Sequence, residues 1–392
     1  MKYDEELLCK LWLNITCGHN PKLIADCLKK YGSAEEIFNS EPVYKDMISG
    51  FRMSRVLRAK RSLESAEELL EFCEKSGIRV ISASDKEYPN SLLHMYAPPL
   101  ILYVKGQLPD FNNLICVAIV GSRECSEYSA KFANELSYDL ASSGIIVISG
   151  MAKGIDAAAH RGALEAGNIT VAALAGGVDV IYPACNTGLY NNIIKNGAVI
   201  SERPPQTVGR GNFYKERNRI LVGLSKGVVI VEGEEKSGTK LTASWALDAD
   251  RDLFAVPGKP SDIGSELPNN LIKRNAKLIT SAEDIIEEYI AVYPIEIKNG
   301  IDLINEERKT IRLKDEIPVA ELPRPQKPDF DKFDEKSRII LEYIYNNNKE
   351  VHIDEISRDC DIPATELSFL IIRLLMERAV REHPGEYYSI NH

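Results

Sequence analysis

No apolar run in this 392-residue chain approaches the ~18–20 residues needed to cross a bilayer, and the opening Met1-Lys-Tyr-Asp-Glu-Glu6 lacks a basic stretch followed by an apolar one. Neither a membrane-spanning nor a secreted protein is expected. Eight cysteines stand at positions 9, 17, 27, 73, 116, 125, 185 and 360, none in C-x-x-C and none clustered with histidine. Neither a disulfide framework nor a structural zinc site is indicated, and the thiols read as reduced ones in a cytoplasm. Two nucleotide signatures are missing as well. Without G-x-G-x-x-G there are no second and third glycines to admit a pyrophosphate, which disfavours a nicotinamide or flavin site. Without G-x-x-x-x-G-K-[ST], ATP hydrolysis has no support, and no cofactor is expected. Positive charge is in deficit: 48 Lys and Arg face 58 Asp and Glu, a formal net of −10. That argues against a surface coated with DNA-binding charge, so any nucleic-acid contact has to come from a local basic patch.

What is present is the composition of an ordinary globular protein, 44% hydrophobic and 27% charged. The length predicts two or three domains at about 100–200 residues each. Residues 1–75 are helical in pattern, with Leu7, Leu8, Leu11 and Leu13, then Leu23, Ile24, Cys27 and Leu28, at three- and four-residue spacings. A second helix-rich stretch runs from Met53 to Ser76. Ile78 to Ile81 and Leu100 to Val104 read as short strands, with Tyr88-Pro89 and Pro98-Pro99 breaking the chain between them. Apolar runs follow at Ile115 to Val120, Ile145 to Ser149, Thr170 to Ala175, Val228 to Val231 and Leu253 to Val256. Strands that alternate with helical segments and are apolar on both faces predict a doubly wound α/β domain built on a mainly parallel sheet. With its N-terminal extension it occupies residues 76–295. Residues 296–330 turn to Glu, Lys, Pro and Arg and read as a semi-extended linker.

Residues 331–392 have a winged-helix-like pattern. One helix is expected around Ile339 to Ile344, a short second over Ile353 to Arg358 and a third over Ala364 to Glu377, with two strands of a wing flanking Pro384-Gly385. Such a unit normally invites a duplex-DNA reading. Eight Lys and Arg against thirteen Asp and Glu in this segment favour a protein-contact or structural role instead.

In an open parallel sheet, ligands lie at the carboxyl ends of the strands, where loops lead into helix N-termini. Gly121-Ser-Arg123 fits that place: Gly121 allows a tight turn, Ser122 can donate to a phosphate and Arg123 can hold it with two parallel hydrogen bonds. A plain strand-to-helix turn with an exposed arginine would read the same way. Ser149-Gly-Met-Ala-Lys-Gly-Ile-Asp156 brackets Lys153 with Gly150 and Gly154 at a helix start, an anion site with Lys153 as point charge and Asp156 as cap or loop orienter. Asp179 and Glu202 read as loop staples, and His160 as a packed or capping histidine. The strongest signal is Arg203 to Arg219, which holds five Lys and Arg against Glu216 alone, with Phe213 and Tyr214 among them. Cations that track phosphates, interleaved with rings on which bases stack, are what single-stranded nucleic acid requires. A solvated loop whose aromatics cover a sheet edge is the plainer alternative. Ser237-Gly-Thr-Lys-Leu-Thr242 adds a hydroxyl-rich helix start suited to another phosphate.

Six motifs then occur in a characteristic order: Gly121-Ser-Arg123; Ser149 to Asp156 with His160; Asp179-Val-Ile-Tyr-Pro183; Phe213 with Arg217-Asn-Arg-Ile220 and Gly223-Leu-Ser225; Ser237-Gly238 with Thr242-Ala243; and Ala255-Val-Pro-Gly258. In this the chain resembles the DNA-processing protein A (DprA, also called Smf) family, closely over roughly residues 70–320 and loosely in the flanking domains. Arg203 and Tyr214 stand where that family more often has an aromatic residue and a proline. The resemblance implies a Rossmann-like core, an N-terminal helical domain of SAM-like or helix-hairpin-helix-like type and a C-terminal winged helix. It also implies a non-enzymatic protein that binds single-stranded DNA, shields incoming transforming DNA, loads the RecA recombinase onto it and works as a homodimer through the Rossmann-like domain. By motif matching, Arg123 and Lys153 fall in the family's phosphate-contacting pocket, and Phe213, Arg217 and Arg219 in its DNA-binding loop. The expected single-strand site therefore comprises Gly121, Ser122, Arg123, Lys153, Gly154, Phe213, Arg217, Asn218, Arg219, Ser237 and Gly238, and takes about 5–8 nucleotides. A rival from another class is a nucleotide-processing hydrolase of the lysine-decarboxylase-like phosphoribohydrolase type, with Glu232 or Asp156 as acid or base and Ser237-Gly-Thr239 as phosphate cradle. Those enzymes resemble P-G-G-x-G-T-x-x-E, of which Glu235-Lys-Ser-Gly-Thr239 matches only Gly-Thr. A third, compatible reading is a protein adaptor with the winged helix as partner surface.

Overall fold

Short runs of β-branched and small apolar residues, buried on both faces, build the centre of the molecule. The computed structural model describes residues 2–39, 47–48, 51–52, 62–302, 330, 333–347, 351–360, 362–377, 379–383 and 387–390. Met47–Ile48 (β1) and Phe51–Arg52 (β2) form a small antiparallel pair. The other strands of the first unit are Arg79–Ser82 (β3), Ile101–Gly106 (β4), Cys116–Val120 (β5), Ile146–Ser149 (β6), Thr170–Ala173 (β7), Gly197–Ser201 (β8), Gly227–Ile230 (β9), Asp252–Ala255 (β10) and Lys277–Leu278 (β11). They form one nine-stranded sheet in the order β11-β10-β9-β5-β6-β7-β8-β4-β3. From β11 to β8 every neighbouring pair is parallel. The β8–β4 and β4–β3 pairs are antiparallel and extend one edge. The sheet is thus mainly parallel and doubly wound, with an α/β, Rossmann-like plan. The chain winds outward from β5 in one direction through β6, β7 and β8, then returns to β9 on its other side. The carboxyl ends of β5 and β9 consequently diverge, which is the topological switch point where such sheets place ligands.

Helices Glu5–Thr16 (α1), Pro21–Tyr31 (α2), Ala34–Asn39 (α3) and Glu64–Lys75 (α4) precede the core, followed by Asn90–Leu93 (α5), Glu127–Ser142 (α6), Ile155–Glu165 (α7), Thr187–Lys195 (α8), Asn212–Leu224 (α9), Gly238–Asp248 (α10), Glu266–Ile272 (α11) and Glu283–Ile290 (α12). Alternation along each strand divides the core between the two faces. Cys116, Ala118 and Val120 join Ile220, Val222 and Ala243 on one face, while Val117 and Ile119 join Leu136, Leu140 and Ala159 on the other. The N-terminal helices do not keep a core to themselves. Leu8, Leu11, Leu13 and Ile24 share one cluster with Tyr103, Ala172 and Val199 of the sheet.

Contacts divide the chain into two units, Met1–Lys314 and Asp315–His392. Residues 294–302 are helical and Ile297 is buried. Gly300 also approaches Gly144 so closely that a side chain on either would overlap the other segment's backbone. The expected linker therefore does not begin at 296, and its remainder, 303–329, lies outside the described residues. The second unit comprises Glu335–Asn347 (α13), Val351–His352 (β12), Ile353–Asp359 (α14), Ala364–Met376 (α15), Val380–His383 (β13) and Tyr387–Ile390 (β14). Its strands pair antiparallel in the order β12-β14-β13. Ile340, Leu341, Ile344, Ile356, Leu367, Ile371 and Leu374 fill its core. The turn expected at Pro384-Gly385 lies outside the described residues. Among the described residues no helix is long and apolar enough to cross a membrane.

The alanine run and Gly162 of α7 let that helix approach α6, and a Cβ at Gly162 would overlap the Asn134 carbonyl oxygen. Helix propensity alone favours alanine over glycine by about 1 kcal/mol. The contact predicts the opposite sign: Gly162→Ala lowers the urea midpoint, because overlap with backbone in a packed core has no flexible group to yield.

Candidate functional site

Glycine decides how close the strand-end loops come. A Cβ at Gly121 would lie 2.6 Å from the Ile155 side chain and 3.0 Å from the Glu232 carbonyl oxygen. Gly154 sits at φ +74°, which L side chains rarely adopt, and any side chain there would overlap the Ser122 carbonyl oxygen. The loops after β5 and β6 thus interlock, with the Ile155 N–H donating to the Ser122 carbonyl at 3.2 Å. Across the switch point, the buried Glu232 carboxylate accepts from the Ser126 N–H at 3.0 Å and its hydroxyl at 2.9 Å, tying the β9 end to the start of α6.

Between these loops opens a crevice of ≈430 Å³, lined by Gly121, Ser122, Arg123, Arg217, Asn218, Ser237 and Gly238 together with Asp156, Tyr214 and Thr242. Seven of the eleven residues expected from the sequence meet here. The hydroxyl of Thr242 accepts from the Asn218 amide at 2.8 Å, joining α9 to α10, which begins at Gly238 without a side-chain cap. An uncapped helix start leaves N–H groups and the positive end of the helix dipole for an anion. Lys153 lies in an adjoining recess of ≈160 Å³ that shares Arg123 and Tyr214 with the crevice and adds Gly150 and Tyr182. Arg123 and Lys153 are exposed and hold no ion pair among the described residues. The Arg123 guanidinium stands 4.8 Å over the Tyr214 ring, and Tyr214 lies 6.1 Å from Tyr182. Tyr182, 59% exposed, and Tyr214 supply the aromatic face of the site. The sequence names Tyr182 only within the motif Asp179-Val-Ile-Tyr-Pro183 and carries no signal of its exposure, whereas Tyr214 stands among the cations of 203–219.

The segment from 203 to 219 is not the basic loop it was expected to be. From Asn212 onward it is helix α9, and positions two apart on a helix point about 200° away from each other. Arg217 faces the crevice but is buried. It donates to the Gly150 carbonyl at 2.6 Å and to the Ala173 carbonyl, and stands 4.0 Å from Asp156. Burial pushes the Asp156 carboxyl above its ordinary range while Arg217 pulls it back. Arg219 points away, donating to the Ala97 carbonyl at 2.6 Å and pairing with Glu202. Phe213 lies under the guanidinium of Arg203, at 4.1 Å, outside the crevice. Arg217 and Arg219 are therefore struts committed to carbonyls and carboxylates, and do not line one path with Phe213. Gly154 serves by close approach and does not line the cavity.

Two pairs of opposite sense fix α9 against the end of β8: Glu202 with Arg219, and Arg203 with Glu216. Arg203 also donates to the His19 carbonyl at 2.7 Å. Asp179 accepts from the Gln206 N–H at 2.8 Å, a loop staple. His160 is a packed histidine, its Nδ1 2.8 Å from the Thr170 hydroxyl.

Burial holds two imidazoles neutral: His160 is pushed down to about 3, and His19, with Arg203 adding to the effect, to about 4. A histidine kept neutral in the fold takes up its proton on unfolding, so each contributes stability above the unfolded value of 6.5 that is lost as pH falls toward the folded one. Urea midpoints should fall as the pH is lowered from 6.5 to 4, and His160→Gln should flatten that dependence. An identical pH dependence in the variant would contradict the assignment.

The family model of DNA recombination-mediator protein A matches residues 79–290. The DNA processing protein DprA of Bacillus subtilis is 39% identical over 214 residues, which are 55% of this chain and 72% of that one. Protein Smf of Escherichia coli is 36% identical over 225 residues, 57% and 60% of the two chains. The X-ray structure of DprA from Streptococcus pneumoniae superposes with a TM-score of 0.59 at 31% identity, covering 74% of this chain and 99% of that one. The DprA of Helicobacter pylori, whose structure concerns a single-stranded DNA binding mode, gives 0.51 at 27% identity, covering 55% and 97%. With more than half of its length matched by the family model, the chain belongs to the DNA recombination-mediator protein A family.

Proposed function

We propose that this protein binds single-stranded DNA across the strand-end crevice, with phosphates at Gly121, Ser122, Arg123 and Lys153 and bases on Tyr214 and Tyr182. The observation that carries the proposal is a pair of exposed cations that hold no ion pair among the described residues, beside two rings, in a chain whose net charge is −10. Cations supply sequence-independent attraction to phosphate and rings supply stacking, the combination that single-strand binders use. The start of α10 at Ser237 and Gly238 offers a further phosphate position. Relatives named DNA processing protein DprA, and the H. pylori structure, support the same ligand. In this reading the protein has no catalytic step, protects incoming transforming DNA in the cytoplasm, loads the RecA recombinase onto it and acts as a homodimer through the Rossmann-like core. The family resemblance supports these four features.

The hydrolase alternative needs a carboxyl group that can reach a substrate and exchange a proton with it. Glu232 is held by two hydrogen bonds from Ser126, and Asp156 is buried beside Arg217. The second unit reads as a winged helix that contacts protein. Arg373 of α15 is engaged by Asp334 at 2.7 Å and Glu377 at 3.1 Å, and Phe369 on the same helix is 78% exposed, a face that among the described residues offers no unpaired cation to a major groove.

Fluorescence anisotropy with labelled oligonucleotides, titrated over salt, tests the proposal. The expected result is salt-dependent, sequence-tolerant binding to the single strand in preference to the duplex. Arg123→Ala and Lys153→Ala should each weaken all sequences alike and flatten the salt slope by about one. Arg219→Ala should lower the melting temperature and leave the slope unchanged. No binding at low salt, together with release of free base from nucleoside monophosphates, would replace this reading with the hydrolase.

A further inference from the structure

Helix α9 brings Tyr214, Lys215, Arg217 and Asn218 to the crevice. Its own start is weak: the residue before it is Gly211 at φ +33°, and no side chain caps its first N–H groups. Uncapped first turns fray unless something outside the helix holds them. The holder here is Arg203, which is 5% exposed and lies outside the crevice. Its backbone N–H donates to the Ser201 hydroxyl at 2.9 Å, which fixes where its side chain starts. The guanidinium then meets three different groups at once. It pairs with Glu216, lies 4.1 Å over the ring of Phe213 and donates to the carbonyl of His19 at 2.7 Å. Glu216 and Phe213 flank Tyr214 and Lys215 in the first turns of α9. His19 belongs to the turn between α1 and α2, with φ +55° and its ring nitrogen 2.8 Å from the Asn14 side chain, so its carbonyl is itself held in place. The planar, five-donor guanidinium serves a carbonyl, a carboxylate and a ring face from separate edges and a flat face, a fixed geometry that the compact ammonium of lysine does not offer.

We propose that Arg203 is a positioning residue that couples the N-terminal helices to the DNA-binding face. Through it, the α1–α2 turn sets where the first two turns of α9 lie. The N-terminal module thereby contributes to single-strand affinity without lining the crevice. This rests on the crevice reading given above.

The discriminating variant is Glu216→Gln, compared with Arg203→Ala and wild type by oligonucleotide anisotropy over salt and by thermal melting. Removing an acid near a polyanion site tightens binding if long-range charge alone matters. Positioning predicts the reverse. Both variants should weaken single-strand binding by about five- to tenfold, the lower end of coupling between sites, with the salt slope unchanged because no phosphate contact is lost. Glu216→Gln that binds as well as or better than wild type overturns the proposal, as does a slope reduced by about one in Arg203→Ala, which would make Arg203 a phosphate ligand. Should Arg203→Ala fail to fold, Glu216→Gln, which keeps the side-chain shape, decides between positioning and long-range charge. Wild type that binds no single strand sinks the crevice reading and this inference together, whereas normal binding by Glu216→Gln sinks this inference alone.

Discussion

Everything in the interface hangs on how closely the β5 and β6 loops can approach, and glycine sets that distance. With Gly154 at positive φ against the Ser122 carbonyl, and Gly121 against Ile155 and Glu232, the backbone after β5 is clamped between α7 and the end of β9. Arg123 and Lys153, which come from different loops, are thereby brought to adjoining cavities that share Arg123. Any side chain at Gly154 would push the loops apart and part the two cations. The geometry of charge in this site is a consequence of backbone packing.

A second layer of constraint comes from α9. Consecutive residues at the end of β8, Glu202 and Arg203, pair with Arg219 and Glu216, three positions apart on the helix. Swapping acid and base along the strand end gives the two pairs opposite sense, so a slip of the helix would set like charges against each other. Arg217, between them, ties the same helix to the ends of β6 and β7 through the Gly150 and Ala173 carbonyls. Of the buried arginines, Arg217 lines the crevice while Arg203 and Arg219 brace α9 outside it; exposed Arg123 and Lys153, which hold no ion pair among the described residues, carry the site's positive charge. In a chain of net −10 this division matters, because a polyanion is attracted only where cations are left without carboxylate partners.

Much of this was legible in the sequence. Apolar runs such as Ile115 to Val120 announce buried parallel strands, and the glycines and polar residues at their ends mark the ligand side. The short strand Gly197–Ser201 was not legible, since a glycine opens it and only Ala198, Val199 and Ile200 carry an apolar signature. The N-terminal helices showed their periodicity but not that Leu8, Leu11 and Leu13 would share a core with Tyr103 and Val199, because spacing along the chain says nothing of which face a helix meets. The basic stretch was the most misleading feature. Charge and aromatic content at 203–219 are consistent with an exposed loop, yet a helix through it turns Arg217 and Arg219 to opposite sides and buries both. Composition counts cations; only the fold shows which already have partners.

The most direct test of the central claim is photo-crosslinking of a bromouracil-substituted single strand to the full chain, with the attachment sites read by mass spectrometry. Attachment at Tyr214 and Tyr182, suppressed by Lys153→Ala at moderate salt, is the result expected of a strand lying across the crevice with its bases on those rings. Attachment confined to the opposite end of the sheet or to the second unit would contradict it.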